Sequence, residues 1–132
     1  MTIREAIFKH LSTHGDLAPL VSSRVYPMHL PQNPTYPAIV IALVDSDREH
    51  DQAGFAGLTT DRFEITAAAK TPADAARVAA MVRLVFDGYQ GTMGGEGGVE
   101  VDAVFHDGAR ELYDDELQVY GVSQDFRVMH AG

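Results

Sequence analysis

The segment from Thr71 to Tyr89, TPADAARVAAMVRLVFDGY, constrains the fold most, because its pattern fits an amphipathic helix that must lie on something. Thr71 is a favourable N-cap, Pro72 sits where a missing N–H costs nothing, and Asp74 puts negative charge in the first turn. Ala75, Val78, Ala79, Val82, Val85, Phe86 and Tyr89 then recur at three- and four-residue spacing as one apolar stripe, and Gly88 ends the helix. Burying the larger members of that stripe is worth about 1.5–3 kcal/mol each, so the chain must supply an apolar partner surface. Ala80, Met81 and Leu84 lie off the stripe, where a lone monomer usually carries charge. Two readings stand: scattered exposed apolar side chains, or half of a subunit contact.

The remaining elements follow in order. Thr2 and Glu5 form a T-x-x-E capping box, and Ile3, Ala6, Ile7 and Leu11 make an apolar face, so a first helix is expected over 2–14 with Gly15 as its stop. Asp16 to Val21 reads as one short turn that tucks Leu17, Leu20 and Val21 against that helix. Residues 22–37 hold Pro27, Pro31, Pro34 and Pro37, too many for a helix or a central strand, and read as an extended connector anchored by Val25, Tyr26 and Leu30. AIVIALV at 38–44 is a short unbroken apolar run, the pattern of a strand covered on both faces. The polar, glycine-bearing DSDREHDQAGFAGL that follows reads as a strand extension leading into a long hairpin loop, and a second strand follows at 60–69, where Phe63, Ile65 and Ala67 alternate with Arg62, Glu64 and Thr66. After the Thr71–Tyr89 helix, QGTMGGEGG at 90–98 reads as a loop. Val99, Val101, Ala103 and Phe105 alternate as a third strand, and 116–129 gives a fourth with Tyr120, Val122, Phe126 and Val128 on one face. The expected fold is α+β, a single domain over 1–132 in the order α-β-β-α-β-β. Two helices pack on one face of a mostly antiparallel four-stranded sheet.

A length of 132 residues supports one core. Arg4, Glu5 and Lys9 interrupt the first apolar residues, and no run has the length of a membrane span, so neither export nor a membrane is expected. Cysteine is absent, which removes disulfides, thiolate metal sites and cysteine nucleophiles together. The formal net charge is −9, and Lys9 and Lys70 are the only lysines. Phosphate neutralisation supplies most nucleic-acid affinity, so specific DNA or RNA binding is not expected; an acidic surface beside DNA suits a conduit better than a clamp.

Candidate chemistry is thin. Asp45, Asp47, Glu49 and Asp51 begin like a calcium loop, but His50 stands where the turn needs glycine and Ala56 where the closing glutamate belongs. A solvated face or an edge guard is the better reading. His10 and His14 sit four apart on the first helix, a spacing that can hold zinc, but no third ligand is in sequence reach and HExxH is absent. GTMGGEGG lacks the lysine of a phosphate loop and follows a helix instead of preceding one. No serine lies in a GxSxG context. No catalytic residue, metal site or cofactor is expected.

Three stretches carry a family resemblance: LAPLVSSRVYP after the first helix; PQNPTYPAIVIALV, a proline-rich approach to an apolar strand; and the terminal ARELYDDELQVYGVSQDFRVMH. This layout resembles the tail-completion, or tail-terminator, proteins of long-tailed bacteriophages, prophages and gene transfer agents, over almost the whole chain. The resemblance implies a structural protein of the virion tail and neck, assembled in the bacterial cytoplasm. It implies a self-assembled ring, typically a hexamer, that stops tail-tube polymerisation and meets the head connector while DNA passes unread through its lumen. It carries no catalytic residues to transfer. A ring needs two different patches per subunit. Ala80, Met81 and Leu84 are one candidate, and Phe55 and Leu58, apolar residues of the 46–59 loop, the other. A head-completion or connector protein is the nearest alternative; a small α+β domain binding a metal or ligand through Asp45–Asp51 is the alternative from another class.

Overall fold

A computed structural model describes residues 1–48 and 58–131. Helix α1 spans Ile3–Thr13 and is closed by the expected reciprocal box: Glu5 N–H donates to Thr2 Oγ1 (3.2 Å) and Thr2 N–H to Glu5 Oε1 (3.1 Å). The Thr2 donors hold the Glu5 carboxyl below its ordinary pKa. One turn, α2 (Ala18–Val21), follows, then strands β1 (Val25–Pro27), β2 (Ala38–Arg48) and β3 (Leu58–Ala69), helix α3 (Pro72–Phe86), and strands β4 (Gly91–Met93), β5 (Val99–Asp114) and β6 (Val119–Ala131).

The sheet corrects the expected fold class. It has six strands in the order β1-β2-β3-β6-β5-β4, is mixed because β1 runs parallel to β2, and curls into a half-barrel accompanied by three helices. The two extra strands come from segments read as connectors. β1 precedes most of the prolines of its segment, and Pro27 is tolerated because an edge strand can forgo a ladder donor. Arg24 fixes this edge: its Nε donates to Pro37 O (2.9 Å), and its own carbonyl accepts from Ile39 N–H (2.9 Å). β4 lies inside the glycine-rich stretch and is anchored by Met93, which is fully buried.

The core lies between the sheet and the two longer helices. β3 turns Phe63, Ile65 and Ala67 inward as expected, and β6 sets Phe126 directly opposite Phe63. From α3, Ala75, Val78, Ala79, Val82 and Phe86 are buried, and the Phe86 ring meets Phe126 edge-on at 4.9 Å. Gln124, buried on β6, donates to the Ala79 carbonyl of α3 (2.8 Å) and takes up His106 Nε2 through its own Oε1 (2.9 Å). β5 departs from simple alternation. Register shifts after Val101 and after His106 turn Val104 inward and Phe105 outward, where the Arg127 guanidinium covers its ring at 4.9 Å.

α1 contacts β1 and β2 near one edge of the sheet and β4 at the other, so it spans the mouth of the curl. Its approach to β4 needs glycine. Gly94 has φ +93°, and a Cβ there would stand 2.6 Å from Met1 Sδ and 3.1 Å from the Ala6 Cα. Gly97, with φ +76°, faces open space. Gly94→Ala is therefore expected to cost about 1–3 kcal/mol in urea unfolding and more than Gly97→Ala, which carries the backbone strain without the clash. Equal losses would show that contact with α1 does not matter.

Candidate assembly surfaces

The side chains singled out from sequence fall into three situations. Leu84 is the most exposed large apolar residue among those described, at 71%, and with Ala80, Arg83 and Asp87 it lines a shallow depression of about 320 Å³ on the outer face of α3. Met81 is half-buried and packs against the core, so its side chain is shared between core and surface. Leu58 opens β3 opposite Ala131 and is half-buried, while Phe55 lies outside the described residues.

The carboxylates behave as a surface set. Asp45 pairs in register with Arg62 and is exposed, as is Asp47; Glu49 and Asp51 lie outside the described residues. Among the described residues no three His, Asp or Glu side chains converge as a metal-holding group, and no helix is long and apolar enough to cross a membrane. The sheet face turned away from the helices carries ion pairs: Arg110 bridges Glu64 and Asp125, and Arg127 Nε lies 2.8 Å from Asp107. These pairs are half-exposed, so each is worth little alone, but together they keep that face polar and its side chains ordered.

His10 and His14 face each other with ring centroids 5.6 Å apart, but His10 is committed elsewhere. Its Nε2 donates to the Val85 carbonyl (2.9 Å), an acceptor in the last turn of α3, and its ring meets Tyr89 edge-on at 4.8 Å. His10 thus ties α1 to the end of α3. Burial pushes its pKa below the ordinary histidine value; the Val85 hydrogen bond opposes that shift and nearby His14 adds to it.

Sequence reasoning missed three features. Asp61 and His130 are both buried, on β3 and β6, with His130 Nε2 2.7 Å from Asp61 Oδ2, whereas Asp61 Oδ1 has no partner. Only the register of β3 against β6 brings these residues together. The second is the projecting end of the β5–β6 hairpin. Residues 109–118 are all exposed, and the turn is braced by Leu117 N–H donating to Asp114 Oδ1 (3.0 Å), by Lys70 Nζ donating to Leu117 O (3.2 Å), and by the Tyr113 and Tyr120 rings at 4.8 Å. The third is an almost wholly apolar cleft of about 220 Å³ between Arg4, Glu5 and Phe8 of α1, Pro27 of β1 and Ile41 of β2.

These features fall near opposite edges of the sheet. The α3 depression continues along Ala76, Ala109 and Glu111 toward the hairpin on the β5 side, and the cleft lies on the β1–β2 side. Among the described residues, β5 has no strand on its outer side apart from the pairing of Val99–Val101 with β4, and β2 has none on its outer side beyond Ile41. The chain therefore presents two unlike surfaces near opposite edges of its sheet.

Residues 5–131 match the family described as tail completion protein gp17. Among solved structures, a chain from the virion of a native gene transfer agent (GTA) particle shares the fold with a TM-score of 0.74 and 21% identity, covering 98% of this chain and 95% of that one. No curated protein matches.

The His10 tie gives a pH dependence. Because the folded state holds His10 below its ordinary pKa of 6.5, the unfolded chain binds more protons as the pH falls through and below that value, and stability declines there. Urea midpoints measured between pH 7.5 and pH 5 should fall for the native chain and fall less steeply for His10→Gln. Parallel slopes would remove His10 from the account.

Proposed function

The chain belongs to the tail completion protein gp17 family, and on that premise we propose that it closes the tail of a phage-type particle as a ring of identical subunits. The ring, six subunits by the family resemblance, stops polymerisation of the tail-tube protein and offers its other side to the head connector. The genome passes through its lumen. Assembly takes place in the bacterial cytoplasm, before the particle is released.

The observation that carries this reading is the pair of unlike surfaces near opposite edges of one sheet. A two-fold dimer uses one self-complementary patch, whereas a closed ring uses two different patches that meet head to tail. Leu84 with Ala80 forms part of the first surface, and Phe55 and Leu58 contribute to subunit or ring contacts. The chain's net charge of −9 supports a passive lumen, since an acidic wall repels phosphate and lets DNA slide. The same charge would disfavour a clamp that holds DNA by phosphate contacts.

The test is tail-tube growth. Added to polymerising tube protein, the chain is expected to shorten the tubes and leave an annulus at one end in negative stain. Leu84→Asp is expected to keep its fold by circular dichroism, because Leu84 is already exposed, and to weaken capping about tenfold or more. Full capping by Leu84→Asp would exclude the α3 face from assembly. Unaltered tube lengths with the native chain would overturn tail termination.

A further inference from the structure

We infer that the β5–β6 hairpin tip of one subunit docks into the α1 cleft of the next, with Leu117 as the inserted side chain and an acidic residue beside it facing Arg4 of α1. This rests on the ring reading and specifies which residues make one of its contacts.

The two halves match in shape. Leu117 is 56% exposed at the apex of a turn that is held rather than loose: Asp114 caps its N–H, Lys70 holds its carbonyl, and the Tyr113–Tyr120 pair stiffens the strands beneath. A tip ordered before contact loses little conformational entropy on docking. The cleft has room for one branched aliphatic side chain, and its wall is Phe8, Pro27 and Ile41. Phe8 is 41% exposed and Met28 62%, so apolar area around the mouth is in water until something covers it.

They also match in charge. Asp114, Asp115 and Glu116 precede Leu117 directly, and Asp115 and Glu116 point into solvent. Among the described residues Arg77, Arg83, Arg110 and Arg127 each have a carboxylate partner within the chain; Arg24 and Lys70 are held by backbone carbonyls instead, and Arg4, Lys9 and Arg62 have neither. Of these, Arg4 and Lys9 are carried by α1: Arg4 lines the cleft one turn before Phe8, next to Glu5, whereas Lys9 Nζ lies toward Gly95 after β4. In so acidic a chain, an unpaired arginine at the mouth of an apolar cleft fits an acidic, leucine-bearing partner, and the hairpin tip of a second copy has that chemistry. The tip joins the ends of β5 and β6 and the cleft lies between α1, β1 and β2, so the two are different surfaces, and a contact made one way between them is head-to-tail and propagates.

The chain's lack of cysteine makes a clean cross-linking test possible. Leu117→Cys and Phe8→Cys are prepared as separate single variants, checked for fold by circular dichroism, mixed at high concentration and treated with a short bis-maleimide, while negative stain of the same samples scores rings. The expected result is a covalent dimer several-fold more abundant in the mixture than in either variant alone. Charge reversal should agree: Arg4→Glu weakens assembly about tenfold, and Asp115→Arg in the same chain restores it. Rings without the mixed cross-link would overturn this contact and leave the ring reading standing. Cross-links in Leu117→Cys alone would mean tip-to-tip pairing and overturn it too. Neither rings nor cross-links at any concentration would remove both.

Discussion

The structure depends on the pairing of β3 with β6. It runs without a bulge from Leu58 opposite Ala131 to Ala69 opposite Tyr120, in the middle of the sheet. A slip of one residue would turn Phe63, Ile65 and Ala67 from the helix side to the polar side and bury Arg62 and Glu64 in their place. This register puts Phe126 opposite Phe63 and under Phe86, gives Gln124 its reach to the Ala79 carbonyl, and closes the buried contact between Asp61 and His130. It also places the ion pairs of Arg110 and Arg127 on the opposite face. Position and identity of both faces follow from one ladder.

Outward from that ladder, order gives way to open edges. β1 and β4 cap only three residues each of β2 and β5, and α1 reaches across to both sides. An edge this long would be a hazard in a free-standing protein, because unpaired strand groups template aggregation. Here charged residues such as Asp45, Asp47, Asp107 and Glu111 stand along β2 and β5, interspersed with exposed apolar side chains such as Leu43, Val44 and Leu112, while Leu84, Phe8, Met28 and Leu117 are exposed elsewhere. A surface that is polar in bulk and apolar at a few places suits a protein that stays soluble until it meets a defined neighbour.

What could be read from the sequence was the periodic part. α1 with its capping box, α3 with its Thr71 cap and buried stripe, and the inward set of β3 were all legible, because each repeats its period several times. β1 and β4 were not, since three residues are too few to show alternation and their neighbours are proline and glycine. The inward face of β5 was misread at Phe105 because its register shifts break the two-residue period. Exposure at Leu84 followed from its angle on the helix. The α1 cleft could not be seen in sequence at all, for it is assembled from three elements that only the parallel pairing of β1 and β2 brings together.

The central claim is that two unlike surfaces make a closed ring. Light scattering behind size exclusion over a wide concentration range, with negative-stain images of the same fractions, tests it most directly. The account predicts annular particles of about six subunits that grow in proportion as concentration rises, with no stable two-fold dimer between monomer and ring. A dimer that saturates and never grows would contradict it, because such a dimer would mean a single self-complementary surface.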